Sequence, residues 1–446
     1  EYGIMAWWDY GHWITVLGER IPVANPFQQN ARLAANYLLA DNASNADEFM
    51  VSPEGEQTRY VMLDYQMGLA GTRKFSAPAA WELDHNVSST DLSTPIYAVN
   101  RQTGGVQVVF GVQSQRSMES MRTRLYQYHG SATGPEMPNS ALGRQVVVAD
   151  WDLTRLQNGQ TIPTLPEGGQ PLTVQPNRTA AERYVRQNGS AQIGGVLGEP
   201  SEKVPALEHY RLVYASPERA ETPASRGYRF ALSQQGRQAQ PIEIQQWVKV
   251  FERVPGATVE GQGPPNATVQ AAVRMRIPTT NSTFLYVQEA ETDADGNFEM
   301  TLPYATTGYD EFGTDAGYTN VSVRADTGYQ FTVGPSTDPE TLETTVWSAT
   351  ANVSEGRVLG ETEGPVEVTL EERVLSQPEG ANETAANETA GNATATNVTG
   401  SNATGSMALP TTAGDAGDPG SPGAPARAIT TAPDPVAVRA APAVEG

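Results

Sequence analysis

The sequence has no cysteine, so it contains neither a disulfide framework nor a thiolate metal site. A chain of 446 residues is long enough for two or three domains that bury cores without such staples. Lysine is almost missing as well. Lys74, Lys203 and Lys249 are the only three, and arginine supplies the rest of 29 basic residues set against 51 acidic ones. The resulting charge of −22 repels nucleic acid and anionic lipid, which excludes both as direct partners. Acidity with so little lysine suits a halophile, because at about 1 M salt the Debye length falls to about 3 Å and self-repulsion is screened; an ordinary acidic secreted protein is the alternative. No run of about 18 apolar residues occurs, so no segment is expected to span a membrane as a helix. The chain opens at Glu1-Tyr2-Gly3 without an initiator methionine or signal peptide. It reads as a piece of a longer protein, with any membrane anchor lying before residue 1.

Four histidines, His12, His85, His129 and His209, show no zinc spacing. Asp293-Ala294-Asp295-Gly296-Asn297 resembles a calcium loop, but its glycine comes too early and no glutamate occupies the twelfth position, so a hairpin turn is expected there. The glycines from Gly194 to Gly198 follow no strand–helix pattern and do not read as a phosphate cradle.

What is present divides the chain into four stretches. Residues 1–135 mix helices and strands: Ala31, Ala34, Ala35 and Leu38 have helical spacing within 28–40, and Met118, Met121, Leu125 and Tyr128 have it within 117–129. The methionines are expected in the core. Tyr60-Val61-Met62-Leu63 and 107–112 read as buried strands, so the stretch reads as a mixed α/β domain. Residues 136–255 are β-rich, with strands at 145–148, 210–214 and 247–251. Residues 256–375 show short strands with regular turns, as in a β-sandwich. Asp295-Gly296, between Val287 and Phe298, has the composition of a hairpin turn. Residues 376–446 are low in complexity and contain no aromatic residue, which predicts a disordered tail. The expected fold class is thus α+β and multidomain.

That tail carries Asn-X-Thr triplets at Asn382, Asn387, Asn392, Asn397 and Asn402, five residues apart. Eight more sequons begin at Asn42, Asn86, Asn177, Asn188, Asn266, Asn281, Asn320 and Asn352. The regular array fits either a glycosylated stalk on an outward-facing protein or drift in a Thr/Ala-rich tail.

The most informative residues are Trp7-Trp8-Asp9-Tyr10-Gly11, a pentapeptide with a chance probability on the order of 10⁻⁵ in this composition. It resembles the signature of the catalytic subunit of oligosaccharyltransferases. Met5-Ala6, His12-Trp13-Ile14, 120–126 and 129–132 resemble segments of the archaeal members, the dolichyl-phosphooligosaccharide–protein glycotransferases. The resemblance covers about residues 1–135, loosens through the β-rich part and is absent from the tail. It implies a membrane enzyme, multi-pass when complete, that transfers a glycan from a dolichol-phosphate carrier to asparagine in Asn-X-Ser/Thr of an acceptor polypeptide. It also implies that this portion lies on the extracellular face beside its own transmembrane domain.

The chemistry of the motif suits that role. A Ser or Thr hydroxyl both donates and accepts, an indole N–H only donates, and a carboxylate only accepts. Two tryptophans and one aspartate can saturate one hydroxyl and keep water away from it. The resemblance implies that Trp7, Trp8 and Asp9 bind the acceptor hydroxyl at position +2, whereas Tyr10 and Gly11 are expected to shape the turn. Read without it, Trp7-Trp8 would be an aromatic core pair and Asp9 a helix N-cap. A second element of the archaeal enzymes, an Asp-X-X-Met followed by lysine, could match Asp64, Met67 and Lys74. Here the Met67–Lys74 spacing is expanded and Pro78 stands at the family's apolar position. The alternative makes Asp64 the end of a strand and Lys74 a solvated charge.

In the family a divalent metal, Mn or Mg, stabilises the leaving phosphate, and its ligands come from the transmembrane part. No catalytic base and no metal ligand are therefore assigned within residues 1–446, and the isolated portion is predicted to be inactive. A structural cell-surface glycoprotein of the wall-layer type is the competing reading; it accounts for acidity, sequons and β modules but not for the pentapeptide.

Overall fold

The computed structural model describes residues 2–50, 58–81, 86–100, 102–135, 137, 145–168, 170–220, 245–337 and 343–376. His85 and the tail sequons from Asn382 onward lie outside the described residues, as does the tail expected over 376–446 except Ser376, which ends the strand Glu371–Ser376. The chain divides into two units at Glu383, and only the first contains described residues.

A five-stranded mixed sheet positions the motif. Its order is Tyr210–Ala215, Val248–Arg253, Thr58–Asp64, Gly3–Met5, Ile21–Pro22. Gly3–Met5 runs parallel to both its neighbours, whereas Val248–Arg253 lies antiparallel to Thr58–Asp64, with Val248 opposite Asp64. Val61, Leu63, Leu212 and Phe251 are all buried, as apolar strand residues covered by helices must be. The helix Ala31–Leu39 covers this sheet with Ala34, Ala35, Tyr37 and Leu38 fully buried.

The amphipathic segment 117–129 is not one helix. It is split into Gln115–Glu119 and Met121–Tyr126 by Ser120, whose backbone is extended at φ −63°, ψ 143°. The break lets the Met121 amide reach the Ala40 carbonyl at 2.8 Å, and turns Arg122 and Arg124 inward onto backbone carbonyls of other segments. The four apolar positions are buried as the periodicity required.

Two further sheets flank this centre. Val146–Asp150 pairs with Ala191–Ile193 and Leu172–Gln175 beneath the helix Arg178–Gln187. Val106–Gln113, Ser93–Val99, Thr161–Thr164 and Asp152–Arg155 form a four-stranded sheet.

The last part is built from two β-sheets. One contains Asn297–Leu302, Ala257–Gln262 and Val366–Thr369. The other runs Ser282–Glu291, Thr268–Ile277, Tyr329–Thr337, Thr344–Ala351, Glu371–Ser376, with Arg324–Ala325 also pairing to Thr268–Ile277. Alternation along Thr268–Ile277 sends Val269, Ala271, Val273, Met275 and Ile277 into the core. Asp295-Gly296 is a tight turn with Gly296 at φ +85°, closed on the Asp293 carboxylate, but it is not a hairpin. It carries the chain from one sheet to the other, because Asn297–Leu302 pairs with Ala257–Gln262 and not with Ser282–Glu291.

The fold is α+β. The motif sheet takes two of its five strands from beyond residue 135, and one apolar core runs from Met5 to Leu370. Arg211 explains part of this continuity. It is 1% exposed and pairs with both Glu252 and Glu355, each at 2.8 Å, tying the motif sheet to the last β part.

Candidate functional site

Trp7 leaves the strand Gly3–Met5 in an extended conformation, and Trp8–Tyr10 then form one 3₁₀ turn closed by Tyr10 N–H on the Trp7 carbonyl at 3.0 Å. The helix Gly11–Val16 follows directly. Gly11 is required by proximity, since a Cβ there would lie 2.4 Å from the Ala24 carbonyl oxygen and 2.7 Å from Asn25 Cα. The backbone of the loop 24–26 thus presses on the start of this helix and fixes the orientation of the preceding turn.

The two indoles differ in their surroundings. Trp7 is 4% exposed and belongs to the main core. Trp8 is half-buried against that core, tilted on Trp7 with ring centroids 6.2 Å apart. Trp8 Nε1 is buried without a hydrogen-bond partner in the protein, and so is Asp9 Oδ1. A donor and an acceptor on adjacent residues are thus both left unsatisfied, which costs about 1–3 kcal/mol each unless something completes them.

The other Asp9 oxygen is engaged. Asp9 Oδ2 pairs with Lys74 Nζ at 2.5 Å. Lys74 also donates to the Tyr10 hydroxyl at 2.7 Å and lies 4.1 Å from the centre of that ring. The Tyr10 hydroxyl in turn donates to Asp64 Oδ2, while Asp64 Oδ1 caps the short helix Tyr65–Gly68 by accepting from Met67 N–H at 3.0 Å. Asp9, Tyr10, Asp64 and Lys74 therefore form one polar chain, with Met67 buried behind it. Burial holds Asp64 above the ordinary carboxylate value of 3.8, against the opposing pull of the Tyr10 hydrogen bond and of Lys74. Burial likewise drives the Tyr10 hydroxyl well above 10, reinforced by Asp64, so it remains protonated and able to donate.

Asp64 does end a strand, as one expectation had it, and its carboxylate also joins the polar chain. Lys74 is not a solvated charge. The expanded spacing after Met67 forms a folded segment, in which the Thr72 hydroxyl donates to the Gln66 and Leu69 carbonyls at 2.6 and 2.7 Å. The Phe75 carbonyl then receives a hydrogen bond from the fully buried Arg122, which fixes the residue next to Lys74. Pro78 falls inside a 3₁₀ turn, Ala77–Ala80, where its missing N–H does no harm. Tyr10 does more than shape a turn, since its hydroxyl bridges Lys74 and Asp64. Sequence reasoning gave no signal for Arg122, because an arginine on an amphipathic segment ordinarily faces water.

Among the described residues no group of three or more His, Asp or Glu side chains is assembled to hold a metal ion. One oxygen of Asp9 is taken up by Lys74, and the two oxygens of Asp64 by the Tyr10 hydroxyl and the Met67 N–H. None of the described helices is long and apolar enough to cross a membrane.

Residues 1–68 match the family model described as the AglB core domain, and residues 256–363 match the archaeal glycosylation protein B long peripheral domain. The chain is 46% identical over 384 residues to the dolichyl-monophosphooligosaccharide–protein glycotransferase AglB of Haloferax volcanii, covering 83% of this chain and 35% of that protein. It is 25% identical over 327 residues to dolichyl-phosphooligosaccharide-protein glycotransferase 3 of Archaeoglobus fulgidus, covering 68% and 33%. The chain thus spans about a third of the length of these curated relatives. A crystal structure of an Archaeoglobus fulgidus oligosaccharyltransferase with Zn and sulfate is similar with a TM-score of 0.49 at 18% identity, covering 83% of this chain and 41% of that one. Another, tethered to an acceptor peptide containing the NVT sequon, has a TM-score of 0.49 at 18% identity, covering 83% and 38%.

Proposed function

The chain belongs to the archaeal glycosylation protein B family, and on that premise we propose that it forms the sequon-reading part of an oligosaccharyltransferase. In this reading the complete protein transfers a glycan from a dolichol-phosphate carrier to asparagine of Asn-X-Ser/Thr, outside the cell. The described chain holds the +2 residue, while its own membrane-embedded part supplies the metal and the acid groups that activate the asparagine.

The carrying observation is the pair of unsatisfied atoms, Trp8 Nε1 and Asp9 Oδ1. One can only donate and the other only accept, and a threonine or serine hydroxyl completes both. Valine at +2 completes neither, and sites built around a hydroxyl reject such analogues by factors of about 10⁴–10⁵. Lys74 acts by holding Asp9 Oδ2, which leaves Oδ1 to face the substrate. Tyr10 and Asp64 hold Lys74 in turn. Trp7 supplies the apolar wall behind Trp8 and shields the hydroxyl from water.

Asp9→Ala in the membrane-embedded full-length protein tests this. Transfer to an Asn-X-Thr peptide should fall by at least about 10-fold, in keeping with a lost charge-assisted hydrogen bond of about 1.5–3 kcal/mol and the loosening of Lys74. Unchanged transfer would remove Asp9 from the site.

A further inference from the structure

All eight sequon asparagines within the described residues are exposed: Asn42, Asn86, Asn177, Asn188, Asn266, Asn281, Asn320 and Asn352. Other asparagines are not treated so uniformly, since Asn25 and Asn30 are half-buried and Asn36 is buried. Exposure alone does not make an acceptor. An enzyme that grips the +2 hydroxyl while it modifies the asparagine needs that hydroxyl free of other partners and the segment not wound into a helix, where i and i+2 do not face each other.

Most of these sequons fail the test in the folded chain. The Ser88 hydroxyl donates to Asp91 at 2.6 Å, Thr268 to Glu291 at 2.7 Å and Ser322 to the Val213 carbonyl at 2.7 Å, while Ser354 caps the helix Glu355–Val358. Asn42 and Asn177 cap helices through Oδ1, with their +2 residues inside the helical turn. Asn188 ends a helix and is tied back to Tyr184.

Asn281-Ser282-Thr283 is different. Asn281 closes the turn 278–281 between Thr268–Ile277 and Ser282–Glu291, held at φ +50° with its amide on the Pro278 carbonyl. Its Oδ1 accepts from Arg276 at 3.4 Å, and no hydrogen bond holds its Nδ2 among the described residues. Thr283 is exposed on the following strand, and no hydrogen bond holds its hydroxyl among the described residues. Ser282–Glu291 is the outer strand of its sheet, and further along it Val287 is met by Ser131 and Ala132, well past the sequon. The hairpin and the Trp8–Asp9 site share one apolar core, so both lie on the same side of any membrane.

We infer that Asn281 is an N-glycan attachment site of the folded protein, presented by the hairpin tip as a substrate of the kind its own family reads. The step joins Asn281 Nδ2 to the anomeric carbon of a lipid-phosphate-linked oligosaccharide. The bond from that carbon to the phosphate oxygen breaks, the phosphate keeps the electron pair, and one Nδ2 proton passes to a base. The inference rests on the proposed function for its donor and enzyme.

The full-length protein, purified from its native host and digested with trypsin and Glu-C, yields the peptide 277–289, which contains Asn281 as its one sequon. The expected result is a glycan mass on that peptide, lost in Asn281→Gln and in Thr283→Ala and retained in Thr283→Ser. A bare peptide, in cells whose other surface proteins carry glycans, overturns the inference and leaves the proposed function standing. A glycan on Asn281 that persists when the gene's product carries Asp9→Ala, with other glycoproteins also unchanged, upholds the site and counts against the proposed function instead.

Discussion

Asp9 and Trp8 divide labour in a way that single substitutions can separate. Trp8→Phe keeps an aromatic ring on the core while removing the unsatisfied Nε1–H along with part of the indole's bulk. It should lower kcat/KM for an Asn-X-Thr peptide by about 10-fold, the value of one neutral hydrogen bond of about 1–1.5 kcal/mol, in a peptide-glycosylation assay of the full-length protein. An Asn-X-Val peptide should transfer no worse than before. Asp64 offers a test independent of activity. Burial raises its folded-state pKa above 3.8, so the folded chain binds this proton more readily than the unfolded one. That contribution to stability is complete below 3.8 and is lost as pH rises through the elevated value. Asp64→Asn keeps an acceptor for the Tyr10 hydroxyl and discards the desolvated charge. It should melt higher than wild type at pH 7, with the advantage shrinking toward pH 3.8, as followed by circular dichroism.

At the scale of elements, the site depends on how closely a loop presses on a helix start. Gly11→Ala places a methyl within 2.4 Å of the Ala24 carbonyl, against backbone that cannot turn aside. It should destabilise the fold by about 1–3 kcal/mol, measured as a lower denaturant midpoint, and displace Asp9 from Lys74. The same scale accounts for what could be read in advance. The strand Thr58–Asp64 and the helix Ala31–Leu39 announced themselves because period and burial agree there. The segment 117–129 showed a faultless helical period and still broke at Ser120, because buried Arg122 and Arg124 reach carbonyls that only the folded chain brings near. Periodicity reports which residues turn inward and is silent about a backbone break between them.

For the whole molecule, Arg211, Glu252 and Glu355 join segments that sequence spacing had placed in separate domains. Glu355→Ala leaves a buried guanidinium half-paired and should cost about 3–5 kcal/mol, seen as one cooperative shift of the denaturation curve of the described unit. Two separate transitions would mean that the motif sheet and the last β part fold independently. The charge of −22 acts at the same scale. Raising salt from 0.1 M to 1 M shortens the Debye length from about 10 Å to about 3 Å and should raise the melting temperature, whereas a salt-insensitive melt would contradict a high-salt habitat.

Composition and local pattern determined the acidic surface, the absence of cysteine chemistry, the α+β character and the identity of the motif, because each depends on residue type or on neighbours within a few positions. The sequence also named Asp64, Met67 and Lys74 as candidates, but could not choose between a solvated lysine and one held by neighbours. That choice belonged to tertiary structure. A folded segment after Met67, a buried arginine on Phe75 and a tyrosine hydroxyl from 64 residues away had to converge before Lys74 could take one oxygen of Asp9 and leave the other bare. Satisfaction of a buried polar atom is a property of three-dimensional proximity, and no spacing along the chain encodes it.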